Sequence, residues 1–153
     1  PEVMGEKVYG LFREVKQIFD PQGIFNKGKI VDTPAMDSHL RYGVNKKIPK
    51  PVATVYDFTN QESYLKLTEK CSGSGDCRKS HISGGTMCPS YMATCNEKDT
   101  TRARANILRQ YLTGDQDNKI SPDEVKEVMD LCLSCKACQS ECPSSVDVSK
   151  LKV

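Results

Sequence analysis

Apolar residues recur at helical spacing along most of this chain and at strand spacing in only one place. From Glu6 to Phe19, the side chains of Val8, Leu11, Phe12, Val15, Ile18 and Phe19 fall on one stripe, which predicts a packing helix. A short helix is expected from Gln61 to Lys70, leading into Cys71. Asp99 or Thr100 is placed to cap a helix that runs through Leu112 and stops at Gly114, with Ala103, Ile107, Leu108, Tyr111 and Leu112 as its apolar face. The tetrapeptide Ser121-Pro122-Asp123-Glu124 is a helix start: serine as N-cap, proline in the first position, and glutamate completing a capping box. That helix carries Val125, Val128 and Met129 directly into Cys132, and Ser145 is placed to cap a last helix. Only Pro51 to Phe58 has strand character. The pattern therefore predicts a mostly α fold, with loops between helices in its second half.

Those loops hold all eight cysteines: Cys71, Cys77, Cys88, Cys95, Cys132, Cys135, Cys138 and Cys142. The 153-residue chain is only 37% hydrophobic with the cysteines counted in, so its apolar core is lean and needs another source of stability. Net charge is +2, which gives no reason to expect nucleic acid or an anionic membrane as partner. No apolar run approaches the roughly 18 residues that span a bilayer, and no signal peptide is recognisable. The chain opens on Pro1 and closes on the first turns of a helix, which predicts a piece of a longer protein.

Disulfides, zinc and iron–sulfur clusters compete for these thiols. Disulfides suit an oxidising compartment, for which there is no signal here. Zinc prefers paired C-x2-C knuckles. The last four cysteines instead run Cys132-x2-Cys135-x2-Cys138-x3-Cys142 and are followed at once by Pro143. Three thiolates at that spacing cup three corners of an iron–sulfur cage, and the fourth, before proline, ligates the other cluster in two-cluster ferredoxins. An altered first run lies upstream. Cys71 and Cys77 occupy the outer cup positions, Ser74 replaces the middle cysteine, and Cys88-Pro89 supplies the Cys-Pro pair. Crossing the last ligands gives a complete site, Cys88, Cys132, Cys135 and Cys138. It also gives a site one thiolate short, Cys71, Cys77 and Cys142. The short site is open between a cubane with Ser74 oxygen or water on its fourth iron, a three-iron cluster, a contribution from Cys95 or His81, and no cluster. Read without a metal role, Cys95 is a buried thiol acting as a small hydrophobe, and His81 is a solvated imidazole.

Two further features bear on this. Arg102 and Arg104 follow the first cysteine run; cationic groups there would stabilise a reduced, anionic cluster and raise its potential. Thr113 to Glu124 superficially matches a calcium loop, with Asp115 and Asp117 at positions three and five. Thr113 lacks the first carboxylate, Asn118 stands where glycine is needed, and Glu124 already serves the capping box, so calcium is not expected.

The segment FREVKQIFDPQGIFNKGKIVD, Phe12 to Asp32, resembles the C-terminal end of FAD-linked oxidases of the vanillyl-alcohol oxidase fold, with Lys27 where proline is usual. The segments CSGSGDCRK, GTMCPSYMAT, TTRARANILR and LCLSCKACQSECPSSVD resemble the helical two-cluster 4Fe-4S ferredoxin domain fused to such flavoproteins. That group includes D-lactate, glycolate and D-2-hydroxyglutarate dehydrogenase-like proteins. The resemblance implies three parts: residues 1–32 as the tail of a flavoprotein domain, 33–60 as a linker or wrapping segment, and 61–153 as a helical ferredoxin domain truncated at its end. It carries the cluster ligands onto Cys71, Cys77, Cys88, Cys132, Cys135, Cys138 and Cys142, and it departs at Cys95, where arginine is more usual. It implies one or two 4Fe-4S clusters, FAD in the part of the parent chain that is missing, and the flavin domain and an outside electron acceptor as partners. The expected role is electron transfer from the flavin of a 2-hydroxy-acid oxidoreductase, with no catalytic site in these residues. A zinc-bound or metal-free helical interaction domain is the alternative. Thiolate usage and the lack of an export signal predict a cytoplasmic location, at most peripheral to the inner membrane.

Overall fold

A computed structural model describes residues 1–43, 49, 52–114 and 119–152. Asp115, Asp117 and Asn118 of the calcium-like stretch, and all but Pro49 of the basic segment Asn45 to Lys50, lie outside the described residues. The chain divides into two compact units, Pro1–Lys47 and Ile48–Val153. Among the described residues the regular structure is helical and no strand is present, so the expectation of a mostly α fold holds. The strand-like residues 52–57 are irregular. No helix is long and apolar enough to cross a membrane among the described residues.

In the first unit, α1 (Gly5–Phe19) forms where the apolar period placed it. Its stripe is exposed rather than packed: no α1 residue is buried, and Ile18 and Phe19 are 73% and 80% exposed. The following loop folds on Asp20. Lys16 Nζ lies 2.5 Å from its carboxylate, which also accepts the backbone N–H groups of Ile24 at 2.8 Å and Phe25 at 2.9 Å. Gly23 takes the left-handed conformation (φ +62°) inside this turn, where a side chain would be strained. Arg13 pairs with Asp32 at 2.5 Å, and the Tyr9 hydroxyl accepts the Asp32 N–H at 2.9 Å.

The second unit is built from α2 (Tyr64–Glu69), α3 (Pro89–Thr94), α4 (Thr101–Thr113), α5 (Pro122–Asp130), α6 (Ala137–Glu141) and α7 (Val148–Leu151). Helix α2 starts later than its apolar pattern suggests because Ser63 caps it, accepting the Lys66 N–H at 3.1 Å, after a 3-10 turn over Thr59–Gln61. The Thr100 hydroxyl caps α4 at 2.9 Å from the Ala103 nitrogen, and Gly114 ends the helix. The Ser121–Glu124 capping box forms in both directions, at 3.2 and 2.7 Å. The cap of α7 is Asp147, not Ser145. The Asp147 carboxylate accepts the Lys150 N–H at 3.0 Å, whereas Ser145 is spent in a left-handed turn (φ +50°) just after Pro143.

Helix α4 packs on α2 and α5. The core they enclose contains Leu67, Met87, Ala105, Leu108, Met129, Val146, Val148 and Leu151, together with the thiols of Cys77, Cys88 and Cys138. Phe58 closes one end, edge-on to Tyr64 at 5.2 Å and beneath the Lys150 ammonium at 4.5 Å. The Tyr64 hydroxyl donates to the Leu151 carbonyl at 2.7 Å, tying the last helix to α2.

Candidate iron–sulfur centre

The second cysteine run curls because two non-glycine residues adopt left-handed backbone, Ser134 (φ +51°) and Lys136 (φ +64°). Such conformations are uncommon and are held here by the surrounding fold. Cys132 follows the end of α5, its N–H donating to the Met129 carbonyl at 3.0 Å. Cys135 sits exposed at the loop, and Cys138 is buried in the first turns of α6. These three thiols line one small cavity, and the fourth thiol in its wall comes from the other run, Cys88. Cys88 is buried at the head of α3, where Pro89 takes the first helical position. The complete ligand set expected from the spacing is thus gathered round a single space. Met87, Leu133 and Val148 add apolar side chains to that wall, and Ser90 and Arg104 polar ones.

Cys88 is heavily hydrogen-bonded. Its sulfur is 3.2 Å from Arg104 Nη1, which donates to it, 3.3 Å from the Ser90 hydroxyl, and 3.2 Å from the Asp99 carbonyl. Arg104 is 1% exposed, and its Nε donates to the Val128 carbonyl at 3.0 Å. Burial pushes the Cys138 thiol up from its ordinary range, opposed by the backbone N–H groups of Val148 and Ser149. Lys152 Nζ donates to the Cys132 carbonyl at 2.7 Å.

The three remaining candidate ligands are Cys71, Cys77 and Cys142. Cys77 is buried, and burial raises its thiol pKa; the Arg102 backbone N–H and the Arg102 charge oppose that rise, while Cys71 and Cys88 are near enough to add to it. Half-buried Cys71 lies 3.9 Å from Asn106 Nδ2. Half-buried Cys142 ends α6, and two residues later Ser144 donates to Ser72 at 3.0 Å, which joins its loop to that of Cys71. Ser74 is exposed and its hydroxyl bonds to Asp76, holding that carboxyl below its usual range. His81 is exposed in a 3-10 turn. Cys95 is exposed too, against the expectation of a buried thiol: it ends α3 in left-handed backbone (φ +53°), its N–H donating to the Tyr91 carbonyl at 2.7 Å.

Spacing alone did not reveal Glu141. Its carboxylate accepts the Thr86 N–H at 2.9 and 3.0 Å, the Thr86 hydroxyl at 2.6 Å and the Met87 N–H at 3.1 Å. These bonds, the Thr86 hydroxyl first, hold its pKa below the usual carboxylate range. Glu141 immediately precedes Cys142, and Met87 immediately precedes Cys88. One side chain therefore clamps the two Cys-Pro loops together.

Among the described residues, no three cysteine, histidine or carboxylate groups converge closely enough to hold one metal ion. The thiols surround a space rather than a point. Tetrahedral zinc, with Zn–S near 2.3 Å, would draw its sulfurs to within about 4 Å of each other. Four cysteine thiols, with no histidine or carboxylate among the described residues of the wall, are the donor set of an iron–sulfur cluster. Arg104, whose Nη1 donates to Cys88 Sγ, adds a buried positive charge to that wall, which suits an anionic guest.

Residues 70–147, just over half of the chain, match the family described as the 4Fe-4S dicluster domain. The chain belongs to that family. Residues 1–30 match the C-terminal domain of FAD linked oxidases. The dicluster chain is 27% identical to D-2-hydroxyglutarate dehydrogenase of Escherichia coli over 99% of its own length and 18% of that protein's. It is 26% identical to D-2-hydroxyglutarate dehydrogenase of Haemophilus influenzae over 92% of its length and 17% of that protein's. Against the glycolate oxidase iron-sulfur subunit of E. coli it is 36% identical over 59 residues, 39% of the chain and 14% of that subunit. The chain therefore spans about 18% of the length of the dehydrogenases it matches. No solved structure matches it. The iron–sulfur character read from the cysteine spacing and the flavoprotein link read from residues 12–32 are both shown by these matches.

Proposed function

We propose that this chain is the electron-relay portion of an FAD-dependent 2-hydroxy-acid dehydrogenase. In this reading residues 1–32 end the flavin domain, 33–60 connect, and 61–153 hold two clusters. Cys88, Cys132, Cys135 and Cys138 ligate one cluster, and Cys71, Cys77 and Cys142 ligate the other. Bound clusters supply one-electron storage between a two-electron flavin and an outside acceptor. The chain's own residues do the placing: left-handed Ser134 and Lys136 aim the cup, Pro89 presents Cys88, and the Glu141 clamp keeps the two Cys-Pro loops in register. Backbone N–H groups of Arg102, Val148 and Ser149 favour the thiolate forms that iron requires. A cytoplasmic setting, where thiols stay reduced, belongs to the same reading.

The observation that carries this proposal is the single cavity walled by Cys88 and three thiols from a run more than forty residues away in sequence. Relatives named as hydroxy-acid oxidoreductases support the substrate class. Anaerobic reconstitution with iron and sulfide tests it. Iron with acid-labile sulfide, a brown colour and bleaching by dithionite are expected. Stoichiometric zinc in a colourless protein that takes up no iron would favour the interaction-domain alternative.

A further inference from the structure

Arg104 is the largest fully buried side chain of the described residues. Its three nitrogens have three different fates. Nε donates to the Val128 carbonyl, Nη1 donates to Cys88 Sγ, and Nη2 has no hydrogen-bond partner among the described residues. The nearest carboxylate oxygen, Asp99 Oδ1, lies 3.9 Å from Nη2, beyond hydrogen-bond reach, and is itself unpartnered. Asp99 is 1% exposed and is held from its other side, where Thr94 Oγ1 donates to Oδ2 at 2.7 Å. A buried guanidinium with an unmet donor is costly, and native folds rarely leave one without a partner. The arginine also lines the cavity walled by Cys88, Cys132, Cys135 and Cys138. A buried cation that already donates to one of the wall's thiols suits a guest that carries negative charge.

Arg102, two residues earlier, is placed differently. Its side chain is paired outward with Glu97 at 2.7 Å, and its influence on sulfur falls on Cys77 and Cys71. The start of α4 thus assigns its two arginines to different sites.

We propose that Arg104 is a cluster-anchoring residue of the Cys88 site: its Nη1 donates to the Cys88 thiolate, and its buried positive charge, with Asp99 Oδ1 3.9 Å from Nη2, raises that cluster's reduction potential relative to its neighbour. Asp99 partly offsets the guanidinium charge on the Nη2 side, while Nη1 meets Cys88 Sγ. Hydrogen bonds to cluster sulfur and net charge are two of the levers that set such potentials. This inference rests on the electron-relay reading, and the two fail differently.

The test uses the full chain, expressed with 15N-guanidinium arginine, reconstituted anaerobically and reduced with dithionite. Pulsed electron paramagnetic resonance should show a 15N coupling on the reduced cluster signal. The coupling should vanish in Arg104→Lys and persist in Arg102→Lys. A redox titration should show the signal that lost its coupling falling in potential by at least tenfold in its one-electron equilibrium constant, about 59 mV. The other signal should hold still. Arg104→Gln leaves Asp99 buried and alone, so the charge-neutral double variant Asp99→Asn/Arg104→Gln accompanies it and should show the same downward shift. A strong cluster signal without 15N coupling in the unsubstituted chain, or an unchanged potential in Arg104→Lys, overturns the role of Arg104 and leaves the relay intact. Failure of the unsubstituted chain to bind iron overturns both.

Discussion

Burial and ionisation oppose each other at Cys77 and Cys138. Both thiols are held above their ordinary range by burial, yet iron binds only thiolate. The chain answers with N–H groups aimed at sulfur, so metal uptake there releases a proton and should weaken as pH falls. At the first run the missing ligand is a serine that faces Asp76. Replacing Ser74 with Cys should raise the iron bound per chain; an unchanged count would show that the Cys71, Cys77 and Cys142 site either lacks a cluster or gains nothing from a fourth thiolate. Asp20 offers a test away from the thiols. Its carboxyl is held below the usual range, chiefly by Lys16 and then by the Ile24 and Phe25 N–H groups. A depressed folded pKa contributes stability that is present above the unfolded value, near 3.9, and is lost as pH falls through the folded value. The Asp20 carboxyl resonance should therefore titrate below free aspartate, and the 20–25 loop should loosen only in that acid window. The serines and Cys95 show what residue-level reading misses. Ser145 and Asp147 are both good caps in sequence, and only the turn after Pro143 decides between them. Cys95 looks like core, but it ends a short helix and faces solvent.

At the scale of elements, the helices whose signals are local were legible. The Ser121–Glu124 box and the Thr100 cap depend on bonds three residues apart, so sequence spacing specifies them. Ser121→Ala should cost about 1 kcal/mol in urea unfolding, the usual loss for an N-cap. A loss near zero would mean that packing of α5 on α4 holds the helix start without its cap. Helices α3 and α6 escaped notice because they are only six and five residues long and carry no full apolar period. Helix α1 is the reverse case: its period was plain, but a periodic stripe predicts only that a face is apolar, not what lies against it. Here that face is exposed.

Across the whole molecule, the gathering of Cys88 with Cys132, Cys135 and Cys138 was readable because the spacing rule for paired runs is itself tertiary knowledge. The contacts that support it were not. Arg104 reaches Cys88 across 16 residues, and Glu141 reaches Thr86 across 55, through contacts that carry no periodic mark. Three candidate ligands, Cys77, Cys88 and Cys138, sit inside the apolar core, so stability and metal content should move together. Stripping iron with a chelator under reducing conditions should lower the unfolding midpoint of the holo chain and weaken its near-ultraviolet dichroism; an identical midpoint for both forms would show that the core stands without its guests. The Glu141 clamp has a further consequence for biosynthesis. If the ligands are crossed as proposed, the earlier half emerging from a ribosome could not finish either cage: Cys71 and Cys77 would wait for Cys142, and Cys88 for the run that begins at Cys132. Iron delivery would then follow synthesis of both Cys-Pro loops, and a message broken before the codon for Cys132 would forfeit both centres at once.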